Sequence, residues 1–150
     1  MRRPVYITRR LSFCAAHRYH NPQWSPEKNR EVFGPCNNPF GHGHNYELEV
    51  TVRGDVDPET GMVLNLTEIA SILHEEVFLR MDHRHLSEEL PEWRSKVPTT
   101  ENLAIDIWNR LAPRLERPHA RLYRVRLYES PDLFAEYFGE DARPREGGRP

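Results

Sequence analysis

Cys36-Asn37-Asn38-Pro39-Phe40-Gly41-His42-Gly43-His44-Asn45-Tyr46 runs straight into Glu47-Leu48-Glu49-Val50-Thr51-Val52, and the second string sets how the first is read. From Tyr46 to Val52 apolar and polar residues alternate, the two-residue period of a half-buried β-strand. His42 and His44 open that strand. Side chains at i and i+2 share a face, so the two imidazoles can be offered to one metal ion. Gly43, the smallest residue, lies between them. Five residues upstream of the pair intervene before Cys36, a potential nucleophile or base. A reactive group beside a metal pair points to an active site rather than a structural clip.

An earlier stretch has the same period: Val5, Ile7, Arg9, Leu11 and Phe13 alternate with their neighbours, predicting a strand that continues to about His17. Consecutive strands of this kind are antiparallel neighbours, so the end of the first lies beside the start of the second. Phe13, Ala15 and His17 then share a face, with small Ala15 and Ala16 leaving room. A single strand histidine is ordinarily a surface residue or a satisfied core residue. Three from neighbouring strands, His17, His42 and His44, with no fourth protein ligand evident, match a catalytic zinc that keeps an open position. Zinc is preferred because imidazole suits it and nothing in the sequence suggests redox chemistry, although iron or nickel could take the same set. The alternation turns Cys14 away from His17, as a small buried residue.

Between the strands, residues 18–41 are polar and carry Pro22, Pro26, Pro35 and Pro39, a long connection of the functional or mobile kind. The second strand ends at the turn Gly54-Asp55-Val56-Asp57-Pro58. Gly61-Met62-Val63-Leu64 reads as a short strand. Asn65 with Glu68 resembles a capping box, and Leu66, Ile69, Ile72, Leu73 and Val77 give a helical stripe. A loop carrying Met81-Asp82-His83-Arg84-His85-Leu86 leads on to Pro91 and Pro98. Thr99 or Thr100 can cap a second helix that buries Leu103, Ile107, Trp108 and Leu111. Two strands, 121–128 and 133–138, follow around Ser130-Pro131-Asp132. Residues 1–140 form one domain, and 141–150 read as a disordered tail. The order β-β-α-α-β-β predicts an α+β domain, four antiparallel strands with two helices on one face.

The chain has 150 residues, 21 basic against 23 acidic, and a net charge of −2. That balance argues against nucleic acid or an anionic membrane as partner. No apolar run approaches the roughly 18 residues of a membrane span, and Met1-Arg2-Arg3-Pro4 leads into a strand rather than a signal-peptide core. Two cysteines make no disulfide framework. The expected compartment is the cytoplasm. With 37% hydrophobic residues the core is thin, which favours completion by oligomerisation.

Five strings together resemble the 6-pyruvoyl-tetrahydropterin synthase and 6-carboxytetrahydropterin synthase family: Ser12-Phe13-Cys14-Ala15-Ala16-His17, Cys36 through Tyr46, Asp82-His83, Pro98-Thr99-Thr100-Glu101-Asn102, and Tyr128-Glu129-Ser130. They occur in family order and span nearly the whole chain. The resemblance implies a tunnelling fold, in which subunits join their sheets into a barrel, commonly a trimer, and two trimers stack as a homohexamer with active sites between subunits. It implies His17, His42 and His44 as zinc ligands, Cys36 as catalytic thiol with Asp82 and His83 as its supporting pair, and Glu129 as pterin anchor with Thr99, Thr100 and Glu101 near the ring. His20, His74, His85 and His119 match no family position and read as surface residues.

The resemblance further implies a small-molecule substrate, 7,8-dihydroneopterin triphosphate. One branch of the family is a lyase that eliminates triphosphate and forms 6-pyruvoyl-tetrahydropterin, towards tetrahydrobiopterin. Another forms 6-carboxytetrahydropterin with loss of acetaldehyde, towards queuosine. A third cleaves the side chain and usually has a Glu near the Cys position; Glu31 lies outside the motif. Five residues between Cys36 and His42, with Asn37-Asn38-Pro39 among them, resemble the pyruvoyl branch, whereas Phe40 departs from the polar residue often found there. The non-enzyme alternative is a zinc- and pterin-binding module without turnover. Lys28, Arg30 and Arg18 are the candidate triphosphate cations.

Overall fold

The computed structural model describes residues 4–140, and the expected tail at 141–150 lies outside them. Two long strands, β1 (Val5–His17) and β2 (His42–Gly54), pair antiparallel over their full length. Their register sets Phe13 against Tyr46, Ala15 against His44 and His17 against His42. Between them the chain is ordered, with a helix α1 (Pro26–Phe33) and a 3-10 turn at Gly34–Asn37. Ser25 caps α1 by accepting from Lys28 N, and Pro26 fills its first turn. Only Asn29 of α1 is buried, so the segment has no apolar stripe to betray it.

Asn29 instead holds the loop by polar bonds. Its Oδ1 accepts from Asn21 N at 2.7 Å, and its Nδ2 donates to Asn21 O at 2.9 Å and Ser25 O at 3.1 Å. Asn37 ties the far end back, donating from Nδ2 to Tyr19 O at 2.7 Å.

The third segment is one helical run with a wide turn inside it: α2 (Leu66–Leu73), a π-turn at His74–Phe78 and α3 (Leu79–Met81). Asn65 caps it, accepting from Thr67 N at 2.9 Å. The expected short strand at 61–64 is absent; Val63 and Leu64 are buried in a turn. A two-residue strand β3 (Arg84–His85), a helical turn α4 (Leu86–Glu89) and a 3-10 turn at Pro91–Trp93 follow. Helix α5 (Thr100–Leu115) is capped by Thr99, which accepts from Asn102 N at 3.2 Å. Strands β4 (Ala120–Ser130) and β5 (Leu133–Tyr137) complete the chain.

The sheet order is β3-β1-β2-β4-β5. Five strands therefore replace the expected four, because β3 joins the edge parallel to β1, pairing Ala15 with Arg84 and Ala16 with His85. Two residues carry no periodicity, which is why composition did not reveal this strand. The α+β expectation is otherwise met, with the long helices over one face. There Phe13, Tyr46, Leu48, Val50, Val125 and Leu127 meet Ile69, Leu73, Leu103, Ile107 and Leu111. The opposite face is polar: Thr8 bonds Thr51, Ser12 bonds Glu47, and Arg126 bonds Glu136.

Replacing Asn29 with Ala removes the bonds that fold residues 21–37 without touching the core. Amide hydrogen exchange should accelerate across that loop while β1, β2 and α5 keep their protection; uniform loss of protection would show that Asn29 supports the whole domain.

Candidate metal and active site

The β1–β2 register converts the sequence spacing into a triangle of imidazoles. Ring centroids of His17 and His42 are 4.8 Å apart, those of His17 and His44 4.9 Å, and those of His42 and His44 4.9 Å. Nε2 of His17 lies 3.2 Å from Nε2 of His42. His17 is fully buried. Its Nδ1 is 3.0 Å from the Tyr46 hydroxyl, and the ring also bonds the Pro98 backbone. We assign Nδ1–H as donor to the Tyr46 hydroxyl, which leaves the Nε2 lone pair facing the other two rings.

Burial, with the like charges of His44 and His42, pushes His17 down to about 3. Burial also lowers His44, with Glu129 opposing and His42 adding to the shift. Neutral imidazoles are the form that binds metal.

Glu129 joins this centre. On β4 it continues the buried i, i+2 row of Val125 and Leu127. The Glu129 carboxylate is buried, accepts from the Thr100 hydroxyl, and lies 2.8 Å from His44 Nε2 and 3.9 Å from His17 Nε2. His44 Nε2 nonetheless has no hydrogen-bond partner of acceptable geometry. A buried nitrogen without a partner, beside two others and a carboxylate, is what a cation would satisfy. His17, His42, His44 and Glu129 each place a ligand atom within 4.8 Å of the rest, so this donor set fits a metal ion.

The other sequence-derived residues distribute over both faces. Cys36 stands on the metal side, in the 3-10 turn, its carbonyl accepting from Tyr19 N at 2.8 Å. Burial, then the charge of Glu129, raises its thiol. Thr99 caps α5, Thr100 holds Glu129, and exposed Glu101 acts electrostatically on Tyr19. Asp82 and His83 stand at the opposite face of β1, and within one chain the thiol nearest His83 is Cys14, with Sγ 3.6 Å from His83 Nδ1. Cys14 is half-buried.

Two tyrosines belong to the site that the sequence reading passed over. Tyr46 continues the i, i+2 row of His42 and His44, a signal that was legible. The Tyr19 ring lies tilted against His17 with centroids 4.8 Å apart, and burial with the charges of Glu129, Cys36 and Glu101 raises its phenol; nothing in its spacing marked it. His20 and His85 are half-buried rather than surface residues, whereas His74 and His119 are exposed. Gly41 needs to be glycine: at φ 72° its Cβ would meet His85 Nε2 at 2.6 Å and His17 O at 2.9 Å. Of the candidate phosphate cations, Arg18 donates to Asn37 O at 3.1 Å, Lys28 lies over the Trp24 ring, and Arg30 pairs with Glu27.

An α+β chain with a three-histidine centre built around buried His17 and a thiol on the same side defines a candidate metal-site domain of tunnelling-fold type. The 6-pyruvoyl tetrahydropterin synthase family profile matches residues 6–140, and the chain belongs to that family. It is 47% identical over 135 residues to the 6-pyruvoyl tetrahydrobiopterin synthase of Poecilia reticulata, covering 90% of each chain. It is 43% identical over 134 residues to that of Homo sapiens, covering 89% of this chain and 91% of the other. The solved 6-pyruvoyl tetrahydropterin synthase of Caenorhabditis elegans superposes with a TM-score of 0.86 at 38% identity, over 93% of this chain and 99% of that one.

Two outcomes test this geometry. Tyr46→Phe frees the His17 ring and should weaken metal affinity about 10- to 100-fold, read by competition with a chelator; unchanged affinity would remove Tyr46 from the site. His17 stays neutral in the folded state down to about pH 3, whereas its ordinary value is 6.5. Between those values the unfolded chain binds the extra proton, so stability falls as pH drops from 6.5 towards 3 and is unaffected by this group above 6.5. Denaturant midpoints of metal-free protein should show that slope, and His17→Asn should flatten it.

Proposed function

We propose that the protein is a zinc-dependent lyase that converts 7,8-dihydroneopterin triphosphate to 6-pyruvoyl-tetrahydropterin and triphosphate. The observation that carries this reading is the His17–His42–His44 triangle with Glu129 held beside it, in a chain whose relatives of over 40% identity are named for that product. The side chain of the substrate becomes a diketone while the ring is reduced, so the redox balance is internal and only triphosphate leaves. Zinc held by the three histidines would supply Lewis acidity towards the side-chain hydroxyls and their neighbouring C–H bonds.

The chain's own groups do the rest. Glu129 offers a carboxylate to the adjacent N–H donors of the pterin's guanidine-like edge, a bidentate match. Thr100 fixes that carboxylate, and Thr99 and Glu101 stand at the same helix start. Cys36 is the base that moves a proton at substrate carbon. Its thiol is raised within the isolated chain, and a thiolate at neutral pH needs a cation nearby. We assign that role to His83 of the partner subunit, with its imidazolium oriented by Asp82, because the same chain's pair lies on the wrong face of β1. On this reading the active site lies between subunits of the homohexamer that the family resemblance implies. Residues 1–140 act as one catalytic domain, in the cytoplasm; no helix among the described residues is long and apolar enough to cross a membrane.

The spacing of five residues between Cys36 and His42 favours this branch over 6-carboxytetrahydropterin formation. Mass spectrometry after incubation with 7,8-dihydroneopterin triphosphate should find 6-pyruvoyl-tetrahydropterin; release of acetaldehyde would assign the other branch. Cys36→Ala should keep metal and oligomer yet lose at least about 100-fold in turnover. Normal turnover in that variant would overturn the thiol's role, and absence of bound metal in the purified protein would overturn the whole reading.

A further inference from the structure

We propose that Cys14, Asp82 and His83 form a second metal site, for thiophilic divalent cations such as Zn²⁺ or Cd²⁺, on the face of β1 opposite the three histidines. These residues each offer a ligand atom, and all three atoms lie within 4.8 Å of one another. The chemistry of the set is mixed: a thiol, an imidazole and a carboxylate. Oxygen-preferring Ca²⁺ and Mg²⁺ are poorly served by it, whereas zinc and its congeners take all three donors.

The geometry is already near what such an ion requires. Zinc–sulfur and zinc–nitrogen bonds of about 2.3 and 2.0–2.1 Å at a tetrahedral angle place S and N about 3.6 Å apart. Cys14 Sγ and His83 Nδ1 are 3.6 Å apart. Asp82 Oδ2 lies 2.6 Å from the same Nδ1, a hydrogen-bond distance that must open to about 3.4 Å to share a metal. The other oxygen, Oδ1, accepts from Cys14 N at 3.0 Å and anchors the carboxylate while it swings.

The backbone holds the site without the ion. His83 N donates to Cys14 O at 2.7 Å, and β3 is bridged to β1 in the next two residues. His83 has φ 57°, the one positive φ at a non-glycine residue among the described residues. Cys14 and His83 line a cleft of about 570 Å³ together with Ala16, Asn45 and Glu89, so an ion and a completing water have access. Binding takes the thiolate, and the Cys14 proton passes to solvent.

One consequence rests on the proposed function. If His83 serves the Cys36 thiol of the partner subunit, an ion on Nδ1 breaks the Asp82–His83 hydrogen bond and withdraws the imidazole from catalysis. The second site would then be inhibitory.

Cd²⁺ titration of metal-stripped protein tests both statements. Wild type should bind two ions per chain and show thiolate-to-cadmium charge-transfer absorption. Cys14→Ser changes one atom and should leave basal turnover intact. It should remove that absorption and weaken the second equivalent by at least the 10- to 100-fold that losing even an outer-shell partner costs. Cys36→Ala should keep both signals, and Ca²⁺ or Mg²⁺ should give no second equivalent. Two tight equivalents in Cys14→Ser, or absorption lost in Cys36→Ala instead, would overturn the site. Two equivalents in wild type without inhibition would uphold the site and overturn the assignment of His83 to turnover.

Discussion

Everything in this molecule that bears on chemistry depends on the register between β1 and β2. Because strand side chains alternate with a period of two, a slip of one residue would turn His17 to the polar face while His42 and His44 stayed with the core. The register is held by what lies further along the pair: Phe13 stacks on Tyr46 with centroids 5.0 Å apart, and Leu48, Val50 and Val52 bury fully beneath the helices. Apolar burial thus positions a polar centre. Its burial, in turn, keeps His17 neutral, which is the condition for binding a metal.

Around that pair the structure is built by polar bonds of short sequence range. Asn29 and Asn37 are buried amides that, with the Tyr19–Phe33 and Trp24–Phe33 ring contacts, hold residues 18–41. They carry Cys36 to the metal side of the sheet. Thr100 does the same for Glu129, joining the start of α5 to the end of β4. A helix N-terminus, a strand end and a capped loop therefore meet at one place, held by side-chain hydrogen bonds.

What could be read in the sequence follows from this division. The alternation of 5–13 and 46–52 and the stripe from Leu66 to Val77 are apolar signals, and they gave the strands, the helices and the three histidines. Ser25-Pro26-Glu27 is a helix-start signal, but α1 buries only Asn29 and so lacks the periodic stripe that would have confirmed it. β3 is two residues long, and no pattern can mark it. Glu129 emerged from family resemblance alone: it continues the Val125, Leu127 row of β4, but its approach to the histidines depends on the pairing of β4 with β2. Tyr19 was illegible for the same reason, as its neighbours come from three separate segments.

The two thiols show how one sheet can hold opposite chemistry on its two faces. Cys36 faces a carboxylate and a buried histidine triangle, and its proton is held more tightly as a result. Asp82 and His83 sit behind β1, where Cys14 is the thiol in reach. On the proposed reading, a single chain thus carries the base Cys36 without the Asp82–His83 pair that activates it. A second copy supplies that pair on this reading, and the free thiolate exists only in the assembled protein. Assembly would then be a requirement of the proton transfer itself and not merely of stability. The thin core and the polar second face of the sheet are consistent with a chain that is completed by its neighbours.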